Sequence, residues 1–210
     1  MTAPDEGLPP RLVLATGNAG KLREMREILA PWRVEVRPLS DYTQGAAEET
    51  GLTFVENAIL KARHAAAAAG LPAIADDSGL EVDALGGAPG VYSARWAGPD
   101  ADDAANNARL LAELELVPDA RRRARYRCAM VFLRGPRDAS PVICQASWEG
   151  RIARLPRGGG GFGYDPLFLA GTGAVTAAEL DPAHKNRVSH RGQALRALVA
   201  ELATGRGPGT

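Results

Sequence analysis

The stretch Ala75-Asp76-Asp77-Ser78-Gly79-Leu80 organises the reading of this chain. Its two carboxylates follow the short apolar run Leu71-Pro72-Ala73-Ile74-Ala75, and Ser78-Gly79 predicts a turn directly after them. Both acids should therefore sit where a buried strand emerges, and open α/β sheets bind their ligands at such strand ends. Adjacent side chains on a strand point to opposite faces, so at most one acid can face a given cleft while its neighbour meets the protein around it. One carboxylate is expected to do chemistry and the other to support it. Asp, Ser and Gly also favour turns for backbone reasons alone, so a plain polar turn explains the same residues.

Upstream, Leu12-Val13-Leu14-Ala15 has the continuous apolar pattern of a strand buried on both faces. Thr16-Gly17-Asn18-Ala19-Gly20-Lys21 comes next, and then a helix whose apolar face is Leu22, Met25, Ile28 and Leu29. In a strand, Gly-containing loop and helix of this kind, backbone N–H groups at the helix N-terminus can receive a phosphate, with Lys21 as a point charge beside it. The loop is neither a Walker sequence nor GxGxxG, and a tight turn capped by Asn18 with Lys21 in solvent is the structural alternative.

Val34-Glu35-Val36-Arg37 alternates as a second strand. The acidic stretch Gln44 to Gly51, with Glu48 and Glu49, leads to Thr53 and Glu56 at capping-box spacing, opening a long alanine-rich helix that Gly70 closes. His64 in that helix reads as a surface or packing residue. A further helix is predicted over 102–117, and strands over Tyr126 to Leu133 and Val142 to Trp148, joined by a turn-rich link into an antiparallel hairpin. The run Gly158 to Gly161 with Phe162-Gly163-Tyr164-Asp165-Pro166 permits close backbone approach to a ligand, and its aromatic rings could stack on a base; a flexible hairpin tip is the alternative. The donors of His184-Lys185-Asn186-Arg187-Val188-Ser189-His190-Arg191 precede an amphipathic helix from Gln193 to Leu202.

With 45% hydrophobic residues, the 210-residue chain can build a real core. Twenty-five basic residues balance 25 acidic ones, which removes the general electrostatic drive toward nucleic acid or anionic membrane. No apolar run approaches a membrane span and no basic-then-apolar leader opens the chain, so a cytoplasmic location is expected. Cys128 and Cys144 are expected to be reduced and mostly buried, without zinc-type spacing. The proline-containing residues 1–10 read as a flexible lead and 204–210 as a flexible tail, around a single domain over 11–203.

Five stretches, in order, resemble the inosine triphosphate pyrophosphatase family, house-cleaning enzymes that hydrolyse aberrant purine nucleoside triphosphates. They are Thr16 to Lys21; Glu48-Glu49-Thr50-Gly51 with Phe54 and Glu56-Asn57-Ala58; Asp76 to Leu80; Gly161 to Pro166; and Ser189-His190-Arg191-Gly192. The resemblance implies a mixed α/β fold, with a long twisted central sheet flanked by helices and two lobes around a nucleotide-binding cleft. It also implies a homodimer and a Mg²⁺-dependent release of nucleoside monophosphate and pyrophosphate from ITP, dITP or XTP. Carried over residue by residue, the phosphate loop falls on Thr16, Gly17, Asn18, Ala19, Gly20 and Lys21, and the metal carboxylates on Glu48 and Asp77. Asp77 also matches the proton acceptor, and Ser78, Phe162, Gly163, Tyr164, Asp165, Lys185, His190 and Arg191 match substrate contacts. Donors on His190 and Arg191 are expected to pair with a 6-oxo group and oppose the amine of adenine. Two other readings stay open: a catalytically silent nucleotide-binding regulatory module, and a phosphatase releasing orthophosphate.

Overall fold

The computed structural model describes residues 7–204. Of the expected lead and tail, residues 1–6 and 205–210 lie outside the described residues. Six strands form one mixed sheet in the order β2-β1-β3-β4-β5-β6: β1 (Arg11–Leu14), β2 (Glu35–Pro38), β3 (Ala73–Val82), β4 (Arg123–Leu133), β5 (Val142–Ile152) and β6 (Phe168–Ala170). β1 is parallel to both β2 and β3, and β5 is antiparallel to β6. The helices are α1 (Ala19–Leu29), α2 (Phe54–Ala69), α3 (Asp103–Glu113), α4 (Pro182–Val188) and α5 (His190–Ala203). The expected α/β class with a mixed sheet and flanking helices is what the chain forms. By packing it comprises two compact units: one takes the chain up to Asp77, Cys128–Ala146 and the chain from Arg191, the other Ser78–Arg127 and Ser147–His190.

In the first unit the strand pleat sorts side chains into two cores. Leu12, Leu14, Ile74, Cys128, Met130 and Phe132 pack with Met25, Ile28 and Leu29 of α1 and with Leu195, Leu198 and Val199 of α5. The intervening residues Val13, Ala15, Ala73, Ala75, Ala129, Val131 and Leu133 pack instead with Ala58, Ala62, Ala65 and Ala66 of α2. The small alanines of α2 leave room for the larger strand side chains Val13, Val131 and Leu133. α2 opens on the expected capping box, Thr53 with Glu56, and closes on Gly70 at φ +63°.

The second unit has its own core of Leu80, Val82, Leu110, Leu114, Tyr126, Trp148, Ile152, Tyr164, Leu167 and Phe168. Arg122, 2% exposed, is built into this unit: its guanidinium donates to the carbonyls of Leu114, Ile152 and Ala153. β4 and β5 run antiparallel, as the sequence predicts. Arg122 accepts from the Ile152 N–H, Arg125 pairs with Glu149 and Arg127 with Ser147, so one residue number rises as the other falls.

The structure changes three expectations. Ser78-Gly79 does not turn the chain; β3 continues through it to Val82, and just beyond the pair the Leu80 N–H donates to Ser93 Oγ at 2.9 Å. The helix expected over 102–117 ends at Glu113, short of Pro118. The donor cluster is itself helical: Lys185 lies in α4, and α5 begins at His190, ahead of the expected Gln193.

Candidate active site

At the end of β1, Thr16 Oγ1 accepts from the Asn18 N–H (3.1 Å), and Asn18 Oδ1 caps α1 by accepting from the Lys21 N–H (3.0 Å). Gly17, Asn18 and Ala19 are exposed, and a Cβ at Gly17 would meet nothing within 4 Å. The start of an eleven-residue helix is thus open to an anion. The cap of the structural alternative is present, but Lys21 is not in solvent. Its ammonium lies 3.0 Å from Asp76 Oδ2, and its side chain is 16% exposed.

Because β3 stays extended through Asp76 and Asp77, the pleat sends the two acids to different helices. Asp76 follows Ile74 onto the α1/α5 side, fully buried, with Lys21 at 3.0 Å and Arg191 at 3.3 Å. Burial alone would raise its pKa, but the charges of Lys21 and Arg191 hold it well below the carboxylate range. Asp77 follows Ala75 onto the α2 side, where Lys61 Nζ stands 2.6 Å from its Oδ1 and Asn57 Nδ2 donates to its Oδ2 at 3.4 Å. Here burial wins over Lys61, and the pKa of Asp77 is raised. The charge of Lys21 acts on both acids.

Of the two glutamates ahead of α2, the structure brings Glu49 to this group, not Glu48. Glu49 Oε1 lies 3.1 Å from Lys61 Nζ, and its charge is felt at Asp77. Glu48 is exposed. Consecutive side chains of an irregular extended segment cannot both face α2, so one of the pair must point away. Lys61 thus holds two carboxylates together. Burial opposes its charge, yet Asp77, Asp76 and Glu49 raise its pKa overall. Among the described residues no cluster of three or more His, Cys, Asp or Glu side chains forms. Glu49 and Asp77, both drawn to Lys61, are the carboxylates that would suit a hard cation whose shell is completed by substrate oxygens and water.

In the second unit, the glycine run is a packed loop. Gly160 N–H donates to the Ala178 carbonyl and Arg157 N–H to that of Pro166. Asp165, 3% exposed, organises the turn at the end of the run. Its carboxylate takes the Phe162 N–H at 2.9 Å, Lys185 Nζ at 2.5 Å and the Tyr126 hydroxyl at 3.3 Å. Lys185 also lies 5.1 Å from the centroid of the Phe162 ring. Tyr164 is buried, with its hydroxyl on the Ser93 carbonyl at 2.8 Å. His190 stacks on Tyr126 with ring centroids 4.6 Å apart and planes 9° from parallel. Ser78, the next residue of β3 after Asp77, is partly buried.

Arg191, expected as a donor to the base, directs its guanidinium elsewhere. NH1 lies 2.6 Å from Glu24, and Nε 3.3 Å from Asp76, so it is a buried brace of the first unit. Helical spacing puts Glu24 on the outward face of α1, but it is buried and holds Arg191; the sequence reading did not single out Lys61 or the role of Asn57. The last two were detectable, because residues four apart on α2 share one helix face.

A model of the Ham1 family matches residues 12–201. The chain belongs to the Ham1 family. Among curated relatives, the dITP/XTP pyrophosphatase of Thioalkalivibrio sulfidiphilus is 62% identical over 192 residues, covering 91% of this chain and 98% of the relative. That of Shigella flexneri is 55% identical over 195 residues, covering 93% and 99%. A solved HAM1 protein from Coxiella burnetii superposes with a TM-score of 0.84 at 49% identity, covering 92% of this chain and 98% of its own.

Proposed function

We propose that this Ham1 protein is a nucleoside triphosphate pyrophosphohydrolase that converts ITP, dITP and XTP to the monophosphate and pyrophosphate, with residues 11–203 acting as one catalytic domain. The observation that carries the reading is the state of Asp77. It is a nearly buried carboxylate of raised pKa, held by Lys61 and Asn57, with the charges of Glu49 and Lys21 acting on it. A carboxylate in that environment suits a general base. Two relatives more than half identical to this chain carry the name dITP/XTP pyrophosphatase.

The phosphates are assigned to the backbone amides of Gly17, Ala19 and Gly20, the Asn18 N–H being taken by Thr16 Oγ1, and to Lys21 Nζ beside Asp76. Glu49, in place of the expected Glu48, and Asp77 are the carboxylates that would hold Mg²⁺. When bound, the ion neutralises charge on the phosphate oxygens. Asp77 orients a water against the α-phosphorus and takes its proton. The new P–O bond forms as the bond to the β-phosphate oxygen breaks, and pyrophosphate leaves. Lys21 and Lys61 stabilise the charge that builds up.

The purine is assigned to Phe162, whose ring offers a stacking surface, to His190, and to the backbone at the start of α5, which is how Arg191 takes part. Donors there favour the 6-oxo group and leave the amine of ATP unpaired; such mismatches can discriminate by ~10⁴. Asp165 serves as an organiser, because its oxygens are already taken by Phe162, Lys185 and Tyr126. By family likeness the enzyme acts as a homodimer on the cytoplasmic nucleotide pool.

The test is turnover with Mg²⁺ and identification of the released anion. ITP and XTP should yield pyrophosphate far faster than ATP or GTP. Orthophosphate would point to the phosphatase, and nucleotide binding without turnover to a silent binding module. Asp77→Asn should lower kcat by ~10²-fold or more while the folded spectrum is kept; an active variant would remove Asp77 from the chemistry.

A further inference from the structure

The Phe162–Asp165 turn is fastened to α3 by a pair of contacts that the proposed reaction does not use. Gly163 N–H donates to Asp103 Oδ2 at 2.6 Å, and the Gly163 carbonyl accepts from Asn107 Nδ2 at 2.8 Å. Asn107 Nδ2 also donates to the Asp103 carbonyl at 2.6 Å, so the two grips are tied to each other one helical turn apart. Gly163 sits at φ +63° and Gly161 at φ +75°, and a Cβ on Gly161 would collide with the Asp165 carboxylate. These glycines make the turn possible, but they also give the unbound chain many other conformations. Something must select this one, and both backbone polar groups of Gly163, its N–H and its carbonyl, are held by α3.

We propose that Asp103 and Asn107 are positioning residues, which clamp Gly163 and so fix the Phe162 ring and the Asp165 carboxylate, whose hydrogen bond from Tyr126 seats the ring on which His190 stacks, setting how sharply the enzyme separates 6-oxo from 6-amino purines. This rests on the assignment of Phe162 and His190 to the purine. The physical reason is that discrimination between two bases of nearly equal shape depends on donors and rings held in one place. A misplacement of ~1 Å can cost ~10²-fold, and ordering a glycine loop during binding takes free energy from the complex. The Asp103 contact is charge-assisted, and its loss is expected to weaken binding about tenfold.

The experiment compares wild type, Asp103→Ala, Asn107→Ala and Asp103→Asn in two measurements. Hydrogen exchange of the peptide covering 162–164 should speed up in both alanine variants and stay near wild type in Asp103→Asn, which keeps an acceptor oxygen. Steady-state kinetics should show KM for ITP rising about tenfold in the alanine variants, the ratio of kcat/KM for ITP over ATP narrowing by a similar factor, and kcat changing little. Unchanged exchange overturns the clamp, as does an unchanged ITP-to-ATP ratio. A fall in kcat alone marks a merely structural role and also overturns it. A wild type that does not hydrolyse ITP overturns the proposed function and this inference with it, whereas an active wild type with unaffected variants overturns only the clamp. Asn107→Ala leaves the acidic first turn of α3 intact, so it decides the matter even where Asp103→Ala does not fold.

Discussion

Asp76 and Cys128 show how far a single buried group can be read from its surroundings. Asp76 is anionic because Lys21 and Arg191 meet it inside the core, where opposite charges attract strongly. Asp76→Asn keeps the shape, removes the charge and leaves two cations without their shared partner. The expected loss is about 3–5 kcal/mol in a urea titration. Cys128 is pushed up to about 12, first by burial and then by the charge of Asp76. Its unfolded value is ~8.5, so the folded state binds the proton more tightly. The stability this contributes is whole below about pH 8.5 and is lost as pH rises toward the folded value. Stability of the wild type should therefore fall more steeply between about pH 8.5 and 11 than that of Cys128→Ala, measured by denaturation at each pH. Native Cys128 should resist a thiol reagent at pH 8 and react once the chain is unfolded.

At the scale of elements, the second unit depends on an arginine that satisfies three carbonyls at once. Arg122→Met fills similar volume but leaves the carbonyls of Leu114, Ile152 and Ala153 without their donor. Each buried acceptor left unmet costs ~1–3 kcal/mol. The variant should melt at least about 3 kcal/mol less stable, and Arg122→Lys should recover only part of that, since an ammonium lacks the planar fork. Nothing in Arg121-Arg122-Arg123 marks the middle residue as buried, so this staple was illegible in the sequence. β1, α1 and α2 were legible because a continuous apolar run, helical spacing and a capping box are local signals. β3 was half legible: its apolar start was plain, but Ser78-Gly79 has turn chemistry, and the contact that meets the strand just beyond it, Ser93 Oγ on the Leu80 N–H, comes from a residue far along the chain. Glu49 was passed over for Glu48 for a related reason, because which of two adjacent glutamates faces α2 is decided by packing.

On the scale of the whole molecule, Lys61 predicts how activity and stability part company. The carboxylates proposed to hold Mg²⁺ already have a resident positive charge between them, so the fold does not need the ion to relieve their repulsion. A chelator should stop turnover while moving the melting temperature by less than about 2–4 °C, the shift that ~1 kcal/mol makes in a chain of this size. A large fall on chelation would mean that the ion is structural. Two long-range facts were out of reach of the sequence: that Arg191 braces Glu24 and Asp76, and that α3 grips Gly163. Both join residues far apart in the chain, and periodicity carries no information at that distance.

The alternation along β3 exposes the protein to one kind of error that no substitution imitates. A single codon inserted between Ile74 and Asp76 would replace no amino acid, yet it would carry Asp76 into the place of Asp77, facing Lys61, and move Asp77 on into the place of Ser78. Lys21 and Arg191 would be left without the anion they share.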